Sequence, residues 1–153
     1  MIYKYLSFSI AITFISFIVG MAANALLKKT ALYNAELSNL NLVRSDIINR
    51  CLGVDLVKWI VKNTPFKYFN QALKLKGRIE KADLNKLRQE MTDAEISHLA
   101  GFVFVTVFAF VKLYQTGWLF GLMIVIVNVL MNLNPSLLQQ QNKRRIDKFL
   151  KKL

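Results

Sequence analysis

The sequence predicts an all-α membrane protein: three transmembrane helices and a membrane-docked cytoplasmic helical segment, in a single domain over residues 1–153. Three observations carry this. The chain is 54% hydrophobic yet has a net charge of +12, a combination unlike that of a water-soluble globule. Its apolar residues collect in three blocks, each close to the roughly 20 residues that cross a hydrocarbon core as a helix. Its Lys and Arg lie almost entirely outside those blocks and fall on one side of a three-span arrangement.

The first block, residues 5–27, reads YLSFSIAITFISFIVGMAANALL and is flanked by Lys4 and by Lys28 and Lys29. Ser9, Thr13, Ser16, Gly20 and Asn24 recur on one helical face. Small residues there let helices approach closely in lipid, and Asn24, at the cytoplasmic end, is a candidate to line a site. Ala23-Asn24-Ala25 also fits a signal-peptidase pattern, but cleavage would export a strongly basic segment. Residues 28–93 hold thirteen of the 21 Lys and Arg, and residues 139–153 hold six. The positive-inside rule therefore places both in the cytoplasm and the N-terminus outside. The expected location is a membrane, crossed more than once, with both basic segments on its cytoplasmic side.

The segment 28–93 contains DLVKWIVKNTPFKYFN, residues 55–70. Leu56, Trp59, Ile60 and Val61 alternate with Asp55, Lys58 and Lys62, giving a short amphipathic helix stopped by Pro65. Its aromatics and lysines suit the headgroup layer; packing on a small soluble core is the competing expectation. Asp83 to Glu90 reads as a polar helix, and Thr92-x-x-Glu95 as a capping box opening the second span, residues 94–114. Gln115-Thr116-Gly117 leaves room for a tight turn alone, so the third span, residues 117–138, folds back as a hairpin. Gly117-x-x-x-Gly121 is a weak helix-packing signal. The basic tail, residues 139–153, completes the chain.

Several function classes recede. Topology and anionic lipid account for the charge, and no nucleic-acid-binding motif accompanies it. The single cysteine, Cys51, forbids an internal disulfide and multi-cysteine metal sites. No metal and no cofactor is expected.

Chemistry concentrates where the spans meet the cytoplasmic leaflet. The only histidine, His98, stands at the start of the second span, three residues after Glu95 and on the same helical face. The third span leaves through Asn128, Asn132, Pro135, Gln139 and Asn142, again on one face. Polar groups inside lipid need partners or a cavity to line. Pro135 also frees a backbone carbonyl one turn earlier. The expectation is a polar pocket with an imidazole, a carboxylate and several amides, beside a basic cluster that includes Arg144 and Arg145.

Glu95-x-x-His98, followed by Asn132-x-x-Pro135-x-x-x-Gln139-x-x-Asn142-x-x-Arg145, resembles the glycosyl-4,4'-diaponeurosporenoate acyltransferase family of staphyloxanthin-type carotenoid pathways. The chain departs from that pattern at Gln140-Gln141, where Arg-Tyr is usual, and at Leu99, where an aromatic often stands. The resemblance implies transfer of a fatty acyl group to a sugar hydroxyl of a membrane glycolipid or glycosylated carotenoid. Acyl-CoA or a similar thioester would be the co-substrate. In that reading His98 is the general base, Glu95 orients it, Asn132 and Gln139 donate to the oxyanion, and Arg144 and Arg145 hold the donor's phosphates. Asn24, Asn128 and Asn142 are further substrate-binding candidates. The expected partners are membrane lipid, a lipid-linked sugar acceptor and the acyl donor, with no nucleic acid; a homo-oligomer or a partner enzyme would help to enclose the pocket. The alternative is a non-catalytic membrane subunit or scaffold of a lipid-pathway complex.

Overall fold

The computed structural model describes residues 1–65 and 80–152, and the regular elements among them are all helical. In chain order they are α1 (Ile2–Leu27), α2 (Ala31–Ala35), a 3-10 turn (Leu37–Asn39), α3 (Asp46–Cys51), α4 (Val54–Asn63), α5 (Lys81–Gln115), α6 (Trp118–Asn128), a π-helical turn (Val129–Leu133) and α7 (Asn134–Leu150). Three helical rods are long and apolar enough to cross a membrane: α1, α5, and the run Trp118–Leu150. The protein is an all-α membrane protein, as the sequence predicts.

Small residues set the packing. The face Ser9, Thr13, Ser16, Gly20 and Asn24 of α1 is buried and lies along α5. Close approach is needed at Gly20, where a Cβ would fall 2.1 Å from the Ser97 carbonyl oxygen. That obstacle is backbone and cannot swing aside. Gly20→Val is therefore expected to force α1 off α5 and to cost about 1–3 kcal/mol. A lowered thermal midpoint in detergent would register this loss. Beyond the crossing, Ile12, Val105, Ala109, Phe120 and Ile124 form the apolar centre of the bundle. Ile18, Val103, Val107 and Phe110 remain exposed on its outside, as lipid-facing side chains should.

The hairpin between α5 and α6 turns at Gly117, whose φ of +128° is open to glycine and strained for other residues. Only half of the Gly117/Gly121 signal is therefore about packing: Gly117 makes the turn, and a Cβ at Gly121 would sit 2.8 Å from Leu113 Cβ. The last rod is interrupted by Pro135. Proline donates no N–H, and the turn before it widens so that the Asn134 N–H reaches the Val129 carbonyl, five residues back.

The second span does not begin with a cap at Thr92. It is the inner part of one helix that starts at Lys81, closed by a reciprocal capping box between Glu80 and Asp83. Thr92 instead donates to the Arg88 carbonyl at 3.0 Å within the helix. The amphipathic helix predicted near 55–62 is α4. Its Val54 and Val57 are buried against Leu137 and Leu138 of α7, whereas Leu56 and Trp59 face outward. Phe66, Lys67, Tyr68 and Phe69 of the same prediction lie outside the described residues.

The chain between α1 and α3 is strapped to the long helices. Asp93 accepts from Tyr33 Oη at 2.8 Å and pairs with Lys28 at 2.5 Å. Burial, and then the Asp93 carboxylate that accepts its proton, push the Tyr33 phenol well above the ordinary tyrosine range. Arg88 bridges Asp147 at 2.6 Å and Asn39 at 3.1 Å.

Candidate active site

A cavity of about 440 Å³ opens where α1, α4, α5 and the last rod meet. Phe14 and Phe17 of α1, with Leu130 and Met131 of the π turn, wall its apolar end. Glu90, Gln139 and Asn142 stand toward the other end, and Val57, Ile60 and Val61 of α4 close one side. His98 lies between the two regions. Its ring meets Phe17 edge to face, with centroids 5.6 Å apart. From Glu90 to His98 the helix rises about 12 Å, so the polar rim and the imidazole are separated by roughly two turns on similar faces of α5.

Behind His98 lies a row of amides. His98 Nδ1 is 3.4 Å from Asn132 Oδ1. Asn132 Nδ2 donates to Ser16 Oγ at 3.0 Å and to Asn128 Oδ1 at 2.9 Å. Asn128 Nδ2 in turn donates to the Phe102 carbonyl at 3.0 Å and to Thr106 Oγ1 at 3.2 Å. Asn128 and Asn132 are almost wholly buried, and both amide hydrogens of each are committed. Neither has a hydrogen left for substrate. The intramembrane stripe is thus partly an interhelical seam, and Asn132 is not placed as the oxyanion donor the sequence suggests.

Glu95 also departs from expectation. Its side chain is fully buried, but it is turned to α7, where it pairs with Lys143 and accepts from Gln140 Nε2 at 2.8 Å. It makes no hydrogen bond to His98. Three residues apart on a helix permits a shared face, but a buried carboxylate goes to a cation when one is in reach. Gln140 then accepts from the Leu42 N–H at 2.9 Å, and Lys143 donates to the Ser38 carbonyl at 3.2 Å. The ion pair clamps the 38–42 segment over the end of the bundle.

Other candidates divide. Gln139 and Asn142 border the cavity with His98. Asn24 does not; its Nδ2 donates to the Asp93 carbonyl at 3.3 Å and ties α1 to α5. Arg144 is committed to Asn41 Oδ1 at 2.7 Å and the Val43 carbonyl at 3.0 Å, whereas Arg145 is exposed. Both arginines lie outside the cavity wall.

The carboxylate that does border the cavity is Glu90, which sequence reasoning missed. It makes no hydrogen bond or ion pair to the described residues. Its signal was present: Glu90, Ala94 and His98 recur at every fourth position, with a small residue between the polar ones. Among the described residues, no cluster of His, Cys, Asp and Glu is arranged to hold a metal ion.

Comparison with known proteins bears on what such a cavity does. The model of the family described as glycosyl-4,4'-diaponeurosporenoate acyltransferase matches residues 28–152, which include α5, the π turn and α7. No curated protein and no solved structure gives a significant match. With a family match over most of its length, the chain belongs to the glycosyl-4,4'-diaponeurosporenoate acyltransferase family, a family of acyltransferases of carotenoid glycoside acylation.

Proposed function

We propose that the protein transfers a fatty acyl group from a thioester donor to a hydroxyl of a membrane-held glycoside, with His98 as the general base. The observation that carries this is His98 itself: the one histidine of the chain borders a cavity that is apolar at one end and rimmed by Glu90, Gln139 and Asn142 at the other. The apolar end, between Phe14, Phe17, Leu130 and Met131, suits an acyl or polyene chain. The rim suits a sugar, whose hydroxyls exchange hydrogen bonds with carboxylate and amide groups alike.

The reaction needs one proton moved twice. The imidazole takes the proton of the attacking hydroxyl as its oxygen bonds to the thioester carbonyl carbon. The tetrahedral intermediate then collapses, the carbon–sulfur bond breaks, and the imidazolium returns the proton to the leaving thiolate. Gln139, with no hydrogen bond to the described residues, is the amide available to the oxyanion. Asn142 and Glu90 hold other hydroxyls of the acceptor. The donor and acceptor enter from the inner leaflet of the bacterial cytoplasmic membrane, with the basic tail against anionic headgroups and Arg145 free to meet a donor phosphate.

The direct test is reconstitution of the full chain in liposomes with a glycosylated polyene acceptor and a long-chain acyl-CoA. Ester formed on the sugar supports the proposal; no ester with any thioester donor overturns it. Glu90→Ala is expected to raise KM for the glycoside about tenfold, the loss of one hydrogen bond to a charged group. Its KM for the acyl donor should stay near that of the parent, which titrating each substrate separately would establish.

A further inference from the structure

We infer that His98 is held as its Nδ1–H tautomer by a hydrogen-bond relay through Asn132 and Asn128, so that Nε2 is the basic nitrogen presented to the cavity. This rests on the proposed role of His98 for its catalytic meaning, but the tautomer follows from the relay alone.

Amide oxygens and nitrogens look alike, so their orientation must come from groups whose polarity is fixed. Three such pins exist here. The first is the Phe102 backbone carbonyl, which can only accept. The Asn128 atom 3.0 Å from it is therefore the NH2. The second is Thr106, whose hydroxyl proton is already given to the same carbonyl at 2.7 Å. Toward Asn128 it too can only accept, at 3.2 Å. Asn128 must then turn its oxygen to Asn132. The third pin is Ser16, whose proton goes to the Thr13 carbonyl at 2.6 Å. Toward Asn132 it also only accepts, at 3.0 Å. Asn128 and Ser16 thus demand the same thing of Asn132, its NH2, from two different helices.

What remains of Asn132 is its oxygen, which faces His98 Nδ1 across 3.4 Å. An acceptor there selects the imidazole with its proton on Nδ1. The lone pair is left on Nε2, on the ring edge away from the amide row. Free imidazole side chains favour the opposite tautomer, so the relay supplies an orientation the ring would not adopt alone. Asn132 and Asn128 are accordingly positioning residues, acting on the acceptor through the imidazole.

The lone histidine of the chain makes the test free of assignment. Full-length protein labelled with 15N-histidine is placed in detergent micelles at about pH 8.5, two units above the ordinary imidazole value of about 6.5. Long-range proton–nitrogen correlation then reports which nitrogen carries the proton. The expected result is a protonated Nδ1 and an unprotonated Nε2. A protonated Nε2, or an even mixture, overturns the inference, and this reading needs no variant. Asn128→Leu combined with Ser16→Ala, which leaves Asn132 without either of its pins, is expected to shift the population toward Nε2–H. It should lower kcat on the order of 10-fold to 100-fold with KM little changed. An unchanged tautomer in that variant overturns the relay beyond Asn132. The two readings separate cleanly. Full turnover in His98→Ala would sink the base while leaving the nitrogen spectrum of the parent as it is; Nε2–H in an enzyme that needs His98 would sink the relay alone.

Discussion

His98→Ala is expected to lose acyl transfer by about 10²- to 10⁴-fold, the contribution of a positioned general base, while inserting and folding as the parent does. A sugar hydroxyl is a weak nucleophile at neutral pH and needs its proton taken as the bond forms. His98 borders the cavity with Glu90, Gln139 and Asn142, and a neutral imidazole can both take a proton and return it within one turnover. Truncation to alanine removes the edge contact with Phe17 and the hydrogen bond to Asn132, so a fold control is essential. Retention on size exclusion and an unchanged helical circular dichroism signal supply it. Single-turnover ester formation in liposomes supplies the rate, and the loss should lie in kcat with donor KM preserved. Parent-like turnover in a folded His98→Ala protein would remove the imidazole from the chemistry.

How this site was legible in the sequence depended on the kind of signal. The three apolar rods and the lone histidine were readable because hydrocarbon thickness and helical period act locally on the chain. The buried face of α1 was readable for the same reason: small residues at steps of three and four select a packing face in lipid. What was not readable was which polar partner each group would choose. Glu95 and His98 share a helical face, yet the carboxylate turned to Lys143, 48 positions along the chain. Asn132 looked like a substrate ligand, and both its amide hydrogens went to Ser16 and Asn128. These choices depend on how three helices cross, and that is fixed by contacts such as Gly20 against the Ser97 carbonyl. Glu90 was overlooked because it sits in the polar first part of α5, which the sequence presents as a separate helix ahead of the membrane. Once α5 is continuous from Lys81 to Gln115, Glu90 and His98 stand along one wall.

Glu95 and Lys143 allow the structural and catalytic readings of that carboxylate to be separated by stability and rate together. Glu95 is fully buried and Lys143 is 3% exposed. Removing one partner from such a pair strands the other charge away from water, at about 3–5 kcal/mol. Lys143→Ala is therefore expected to lower the thermal midpoint in detergent sharply, more than any surface lysine substitution in the tail. Glu95→Gln should be milder, because an amide still offers an oxygen to Lys143 and to Gln140 Nε2. The informative variant is Glu95→Gln combined with Lys143→Met. It removes both charges while keeping the volume, so much of the lost stability should return. If the pair serves only the packing of α5 against α7, the double variant should also recover acyl transfer to near the parent rate. If instead Glu95 stabilises the imidazolium during turnover, the double variant will be stable but slow. A rate restored along with the melting temperature assigns Glu95 to the scaffold and leaves the orientation of His98 to Asn132.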